Sequence, residues 1–303
     1  MDGVLVVDKP QGLTSHDVVA RVRRAYGIRR VGHIGTLDPM ATGVLPLVVG
    51  RATRLAALLS VGPKVYEGLV LLGVATDTYD RTGKVTADVR DKTGVGPTRA
   101  PSRSEVERIA EDFVGTFTQR PPPFSAKKIG GVRAYRLARR RQPVDPAPVK
   151  VTVHALDILD VTASHIRCRV SCEPGFYMRA LAHDLGAAFG CGAYLESLRR
   201  ERSGPFSLDQ AVTLDALEGP KSGLSSRMLP VADLLPDVPK LLLTEHGTKR
   251  ASHGNDLFPS DVLSPPHREW GTGLVRLCDE QGTLVAIARG DTSRLLRPLI
   301  VLV

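Results

Sequence analysis

The chain has 303 residues, 42% of them hydrophobic, which exceeds one ordinary domain and suffices for a large core. Its 41 Lys and Arg against 32 Asp and Glu leave a formal charge of +9, which favours a polyanionic partner through phosphate neutralisation and counterion release. No run reaches the ~18 apolar residues of a membrane helix, the apolar stretch in MDGVLVVDKPQG is too short for a secretion signal, and the four cysteines show no metal-binding spacing. A soluble cytoplasmic protein with reduced thiols is the expectation.

The first strand is VLVVD, and TSHDVVARVRRAY follows as a helix with good N-cap residues and Val18, Val19, Val22 and Tyr26 at helical spacing. Its other face carries Arg21, Arg23 and Arg24, and Arg29 and Arg30 come next; a solvated charged face is the plain reading of these. Residues 32–46, GHIGTLDPMATGVLP, read as a rigid loop around one acid, Asp38. Pro39 pushes Asp38 towards an extended backbone, while Gly35 and Gly43 permit turns or close backbone approach. An Asp-Pro can also merely cap a turn.

Segment 64–74, KVYEGLVLLGV, reads as a strand, and 104–113, SEVERIAEDF, as a helix opened by a Ser104/Glu107 capping box with Val106, Ile109 and Phe113 on one side. Hairpin and loop lie between them. Residues 119–148, with prolines at both ends and a dense Lys/Arg middle, read as a projecting insertion. Strand patterns follow at 150–160 and at 166–172, where Ile166, Cys168, Val170 and Cys172 point inward and Arg167 and Arg169 outward. An EPG turn leads into a helix with Met178, Leu181, Ala182, Leu185 and Phe189 on one stripe, so Arg179 sits near its start. The stretch 221–240 reads as a boundary. Two β runs in LVRLCDEQGTLVAIARG and a final LIVLV then make a small β-rich domain. Strands and helices mix without a βαβ rhythm, so the fold class is α+β.

Common chemistries are missing. The one Gly-Lys, Gly83-Lys84, is followed by Val85, Gly94-x-Gly96 lacks a third glycine, and neither a G-x-S-x-G elbow nor H-E-x-x-H occurs, so no cofactor is implied. What remains is the carboxylate of Asp38, the ring of Tyr66 near a strand start and the guanidinium of Arg179. Taken singly, Tyr66 can be a core ring and Arg179 a helix-surface charge. Together they suit glycosidic chemistry on a base: an acid for C1′, a ring to stack on an extruded base, and a cation that keeps the acid ionised.

The segments GVLVVDKPQGLTSHDVV (3–19), GHIGTLDPMATGVLP (32–46), KVYEG (64–68), ATDTYD (75–80), FSAKKIGGVRAYRLAR (124–139), GFYMRALAHDLG (175–186) and YLESLRR (194–200) occur in an order and spacing that resemble the TruB family of tRNA pseudouridine synthases. The resemblance implies that uridine 55 in the T loop of tRNA is isomerised to pseudouridine. It implies a pseudouridine synthase fold, with a mixed, mainly antiparallel sheet flanked by helices over residues 1–235. A PUA-like RNA-binding domain over 241–303 follows from it as well.

Within this resemblance Asp38 corresponds to the essential aspartate, Tyr66 to the aromatic packed on the target base and Arg179 to the arginine paired with the carboxylate. His33 corresponds to the histidine that helps turn the base out, Lys9 to a lysine near the site and Leu198 to an apolar wall. The insertion at 119–148 resembles the family's thumb, with Lys127, Lys128, Arg133, Arg136, Arg139 and Arg140 suited to phosphate contact. Phe176 stands where Thr or Ser is common. A lone Asp suffices in such a reaction because the base never departs, whether the acid attacks C1′, adds to the ring or drives a glycal route.

The expectation is a monomer acting on the T-arm of tRNA with no cofactor, metal, membrane or obligatory protein partner. Three alternatives share the same features. A tRNA chaperone role needs only the basic surface and the flipping residues and can accompany catalysis. A guide-RNA particle subunit needs partner proteins, and a DNA glycosylase releases free base.

Overall fold

The computed structural model describes residues 1–90, 97, 99–125, 128–129, 132–133, 146–218, 224–264, 272–291 and 295–303. Its centre is one large sheet. The first strand, β1 (Gly3–Lys9), is a run of β-branched residues buried on both sides: Leu5 and Val7 enter one core cluster, Val4 and Val6 another. Next come α1 (Ser15–Tyr26), the short β2 (Val31–His33), and β3 (Thr42–Val49), which repeats the division with Leu45 and Leu47 on one face and Val44 and Val48 on the other.

The chain continues through β4 (Lys64–Leu72), a two-stranded arm of β5 (Val74–Thr76) and β6 (Val85–Asp88), α2 (Arg103–Glu111) and β7 (Gly115–Gln119). Beyond a two-residue ladder of β8 (Lys128–Ile129) with β9 (Val132–Arg133), it forms β10 (Val149–Val161), β11 (His165–Cys172), α3 (Met178–Ala188) and β12 (Ala193–Ser203). Three short strands, β13 (Phe206–Ser207), β14 (Val212–Thr213) and β15 (Met228–Pro230), complete the sheet. Its order is β14-β1-β3-β12-β4-β11-β10-β7, with β2 on β3, β13 on β12 and β15 on β1. Only β1/β14 and β3/β12 run parallel among its pairs, so the sheet is mixed and mainly antiparallel, as expected.

Three of the helices pack into the core on one face. Val18, Val19 and Val22 of α1, Val106 and Ile109 of α2, and Leu181 and Leu185 of α3 join the cluster that holds Leu5, Leu45 and Val170. Thr14 caps α1 in a reciprocal box with Asp17, which fixes where the chain leaves the 10–13 turn and becomes helical. The cap of α2 differs from the expected one. Ser102, not Ser104, accepts from the Glu105 backbone N–H, and the helix starts two residues earlier than the Ser-x-x-Glu spacing at 104–107 indicates. The predicted strand at 64–74 also stops at Leu72, because Gly73 adopts φ +88° and sends the chain into the β5–β6 arm.

Residues 240–301 form the second sheet, from β16 (Lys240–Leu243), β17 (Val262–Ser264), β18 (Leu274–Cys278), β19 (Leu284–Gly290) and β20 (Leu296–Val301), ordered β17-β16-β18-β19-β20, with α4 (Glu245–Ser252) against it. The expected β-rich C-terminal unit is therefore present. It does not stand apart: Cys278, Leu284, Ile287 and Leu302 share a buried cluster with Val4, Val6, Val44 and Val48 on the opposite face of the large sheet. No helix among the described residues is long and apolar enough to cross a membrane.

Candidate active site

The loop between β2 and β3 is anchored on both sides of the sheet. Ile34 enters one core cluster and Leu37 and Met40 the other, which leaves Asp38 between them with a side chain 38% exposed. Ser15, at the start of α1, closes on the loop by donating to the Leu37 carbonyl at 3.2 Å and accepting from the Leu37 N–H at 2.9 Å. The Ala41 N–H donates to the Asp38 carbonyl at 3.0 Å, and the Gly12 N–H to the Pro39 carbonyl at 2.8 Å. Both expected glycines are needed. Gly35 has φ +70° and Gly43 φ +99°, and a Cβ on Gly43 would stand 2.2 Å from the Arg200 carbonyl of β12.

Lys9 ends β1 fully buried beneath this loop. Its ammonium donates to the carbonyls of Pro10 at 2.9 Å, Leu13 at 2.7 Å and Pro39 at 3.4 Å, so it ties the 10–13 turn to the residue after Asp38. Burial pushes Lys9 down to about 8; the Asp38 charge opposes this and the Arg200 charge adds to it.

Arg179, second residue of α3 and nearly inaccessible, reaches Asp38 from the opposite side. Its Nε lies 2.9 Å from Asp38 Oδ2 and its Nη2 3.5 Å from Oδ1. The rest of the guanidinium is fully engaged: Nη2 donates to the Phe124 carbonyl at 2.8 Å, and Nη1 to the Thr78 carbonyl at 3.1 Å, with Asp80 Oδ2 at 3.5 Å. Asp80 is a second carboxylate in the site, so Asp38 is not alone as the sequence led one to expect. It is buried, however, and saturated by Thr78 Oγ1 at 2.8 Å, the Thr82 N–H at 2.9 Å and Thr82 Oγ1 at 2.6 Å. Tyr79 between them holds φ +64°, the one positive φ outside glycine among the described residues, and its ring stacks on His183 of α3 at 3.9 Å. That turn directs the Thr78 carbonyl and the Asp80 carboxylate at the same arginine.

Asp38, Tyr66, Arg179 and Leu198 line one cleft of about 220 Å³, together with Lys64, Phe176, Tyr177 and Met178. Tyr66 is buried on β4, opposite Arg200 of β12, and burial raises its hydroxyl pKa, so it stays neutral. Phe176 fills the position where a hydroxyl residue was the usual expectation, packing edge-on against Phe117 with ring centroids 6.5 Å apart. Gln119 fixes the entry to α3, accepting from the Tyr177 N–H at 2.9 Å and donating to its carbonyl at 3.2 Å.

His33 is not among the residues lining the cleft; it lies on β2, half-buried and paired with Leu47 of β3. Of the basic insertion, Lys128 and Arg133 pair through their backbones in the β8–β9 ladder, whereas Lys127, Arg136, Arg139 and Arg140 lie outside the described residues.

Three site residues escaped the sequence reading. Asp80 lies in ATDTYD, a segment with no chemistry visible on its own. Lys64 lies two residues before Tyr66, on the same face of β4, a signal that period-two counting could have caught. Arg200 was hidden by a bulge. The register of β12 against β4 shifts between Leu195 and Ser197, which turns Leu198 and Arg200 inward where strict alternation from Leu195 points Ser197 and Arg199 inward. Arg200 is fully buried, its Nε donating to the Val44 carbonyl at 2.7 Å and its Nη2 to the Gly35 carbonyl at 3.0 Å.

Comparison with known proteins gives the family. Residues 23–178 match the TruB family pseudouridylate synthase N-terminal domain, and residues 179–235 match the tRNA pseudouridylate synthase B C-terminal domain. Both matched segments supply strands to the same large sheet. The chain is 45% identical to the tRNA pseudouridine synthase B of Solibacter usitatus over all of both chains. It is 40% identical to that of Geobacter sulfurreducens over 99% of this chain and 92% of the relative. Among solved structures, a chain of an H/ACA RNP bound to a substrate RNA containing 2′-deoxyuridine superposes with a TM-score of 0.71 at 23% identity, covering 99% of this chain and 85% of that one. A chain of a Cbf5–Nop10–Gar1 complex gives 0.68 at 26% identity, covering 95% and 78%. The two family-model matches, together spanning residues 23–235, and the 40–45% identity to these curated relatives over nearly the whole chain show that this protein belongs to the TruB family of tRNA pseudouridine synthases.

Proposed function

We propose that the protein isomerises uridine 55 in the T loop of tRNA to pseudouridine, with Asp38 as the catalytic carboxylate. The observation that carries the reading is the Arg179–Asp38 pair at 2.9 Å, at the edge of a cleft that also presents Tyr66 and Leu198. Arg179 keeps the acid ionised and aimed. Tyr66 packs on the extruded uracil, Leu198 walls the pocket, and Lys9 holds the loop that carries Asp38. His33, outside the cleft, acts earlier by helping to turn the base out of the T loop.

The isomerisation breaks N1–C1′, turns the uracil within the cleft and bonds C5 to C1′, driven by Asp38 through attack on C1′, addition to the ring or a glycal route. Neither water nor nucleotide is consumed, and the reading calls for no cofactor. Residues 1–235 serve as the catalytic domain. Lys127, Lys128, Arg133 and Arg136 of the insertion at 119–148 contact phosphates of the T-arm, and the PUA-like 241–303 domain adds RNA contact. The protein works in the cytoplasm as a monomer, without an obligatory protein partner, and its opening of the T loop also assists tRNA folding.

The test is tritium release from tRNA transcript labelled with [5-³H]uridine, using purified protein alone beside the Asp38→Asn variant. Wild type should release tritium, and Asp38→Asn should release none while still binding tRNA. No release by wild type would reject the enzyme reading, and release by Asp38→Asn would reject the assignment of the carboxylate.

A further inference from the structure

Two cations of the site have no anion. Asp38 and Asp80 are both taken up by Arg179. Lys64 lines the cleft, and among the described residues its ammonium makes neither an ion pair nor a hydrogen bond. Arg200 lies behind it, fully buried, its guanidinium facing the neutral Tyr66 hydroxyl and two backbone carbonyls and, among the described residues, no carboxylate. Both flank Gly35: a Cβ there would stand 3.3 Å from Arg200 Nη1 and 3.5 Å from Lys64 Nζ. Burial and the Arg200 charge both hold the Lys64 pKa below its ordinary value. Two like charges in a partly buried cleft, with no counter-charge, are a costly arrangement unless an anion arrives.

A phosphate fits poorly, because Arg200 has no exposed surface to offer it. The base, by contrast, must enter beside Tyr66. We propose that Lys64, backed by the Arg200 guanidinium, is a catalytic residue that stabilises the negative charge appearing on uracil when its bond to ribose breaks. The inference rests on the isomerase reading above. In that step N1–C1′ breaks, its electron pair leaves with the base, and an Asp38 oxygen bonds to C1′. The charge spreads over N1, O2 and O4, and Lys64 donates a hydrogen bond to it without giving up its proton. After the base turns, C5 bonds to C1′ and the Asp38 oxygen departs with its electron pair. C5 then loses a proton to solvent and N1 takes one up, so no proton, oxidant or reductant is consumed overall. Uracil is neutral before and after, so the interaction is strongest in the transition state and raises the rate more than the affinity.

Single-turnover kinetics and tRNA affinity of Lys64→Met and Lys64→Arg test this. Lys64→Met should slow pseudouridine formation about 10²-fold with tRNA affinity changed less than about twofold, and Lys64→Arg should recover most of the rate. A transcript with 5-fluorouridine at the target, whose base anion is intrinsically more stable, should lose only about tenfold on Lys64→Met when disappearance of the fluorinated nucleoside is followed. Weakened tRNA binding with an unchanged single-turnover rate would place Lys64 on phosphate and overturn the proposal. Equal losses on both substrates, or equal losses in Lys64→Met and Lys64→Arg, would overturn it too. If Lys64→Met does not fold by thermal unfolding, Lys64→Gln is read in the same way. Inactivity of the wild type itself would fail the isomerase reading and not this assignment.

Discussion

At the scale of single residues the site is a problem of holding charges in place. Lys9 shows how burial sets the sign of a pH effect. Its folded pKa is about 8 against 10.5 for an ordinary lysine, so between these values the unfolded chain binds more protons than the folded one. Folding stability of wild type relative to Lys9→Met should therefore rise as pH goes from about 8 to 10.5 and stay flat below about 8. Thermal unfolding of both proteins across that range checks it, and a difference that falls with pH would contradict the buried placement. Lys9→Met should also slow the reaction by up to about 10²-fold, because the Pro39 carbonyl beside Asp38 loses its ammonium tether.

The legibility of the site divides along the same line. Asp38, Tyr66, Arg179 and Leu198 were read from motifs and do meet in one cleft. Asp80, Lys64 and Arg200 were not, because their importance lies in what they face across the sheet, and for Arg200 in a bulge that reverses side-chain parity. His33 was named with the others but stands on β2, apart from the cleft lining.

At the scale of elements, periodicity located most helices and strands while hydrogen-bond competition set their ends. β11 alternates as read, with Ile166, Cys168, Val170 and Cys172 buried between exposed Arg167 and Arg169. The start of α2 went to Ser102 because its hydroxyl meets the Glu105 N–H with the backbone still extended at φ −75°, ψ 159°, leaving Ser104 inside the first turn. Composition cannot distinguish two serines spaced by two. Ser102→Ala should accordingly cost about 1 kcal/mol of stability, whereas Ser104→Ala should stay within about 0.5 kcal/mol. Urea unfolding of the two variants decides between the caps, and a larger loss at Ser104 would restore the spacing-based assignment.

At the scale of the whole molecule, the large sheet is covered by helices on one face and by the C-terminal sheet on part of the other. The sequence marked a boundary near 221–240 from Ser, Pro and Leu content, yet β15 (Met228–Pro230) still pairs with β1, and Leu234 still packs in the shared cluster. What composition could not show is that the apolar residues of β1 are divided between two cores, since a buried strand and a one-sided strand differ only in what lies against them. The division couples the two sheets.

Ile287 of β19 is fully buried in the cluster that also holds Val4, Val6, Val44 and Val48, so removing its side chain opens space against β1 and β3 as well as within the C-terminal unit. Ile287→Ala should cost about 2–5 kcal/mol, the range for truncating a buried aliphatic side chain. The loss should appear as one cooperative transition for the entire chain, because neither sheet can separate without exposing that cluster to water. Hydrogen exchange gives the sharper reading: amides of Val4 and Val6 in β1 should lose protection alongside those of β19. Two separated transitions, with protection in β1 unchanged, would mean that the C-terminal sheet folds and unfolds by itself and only rests against the catalytic one.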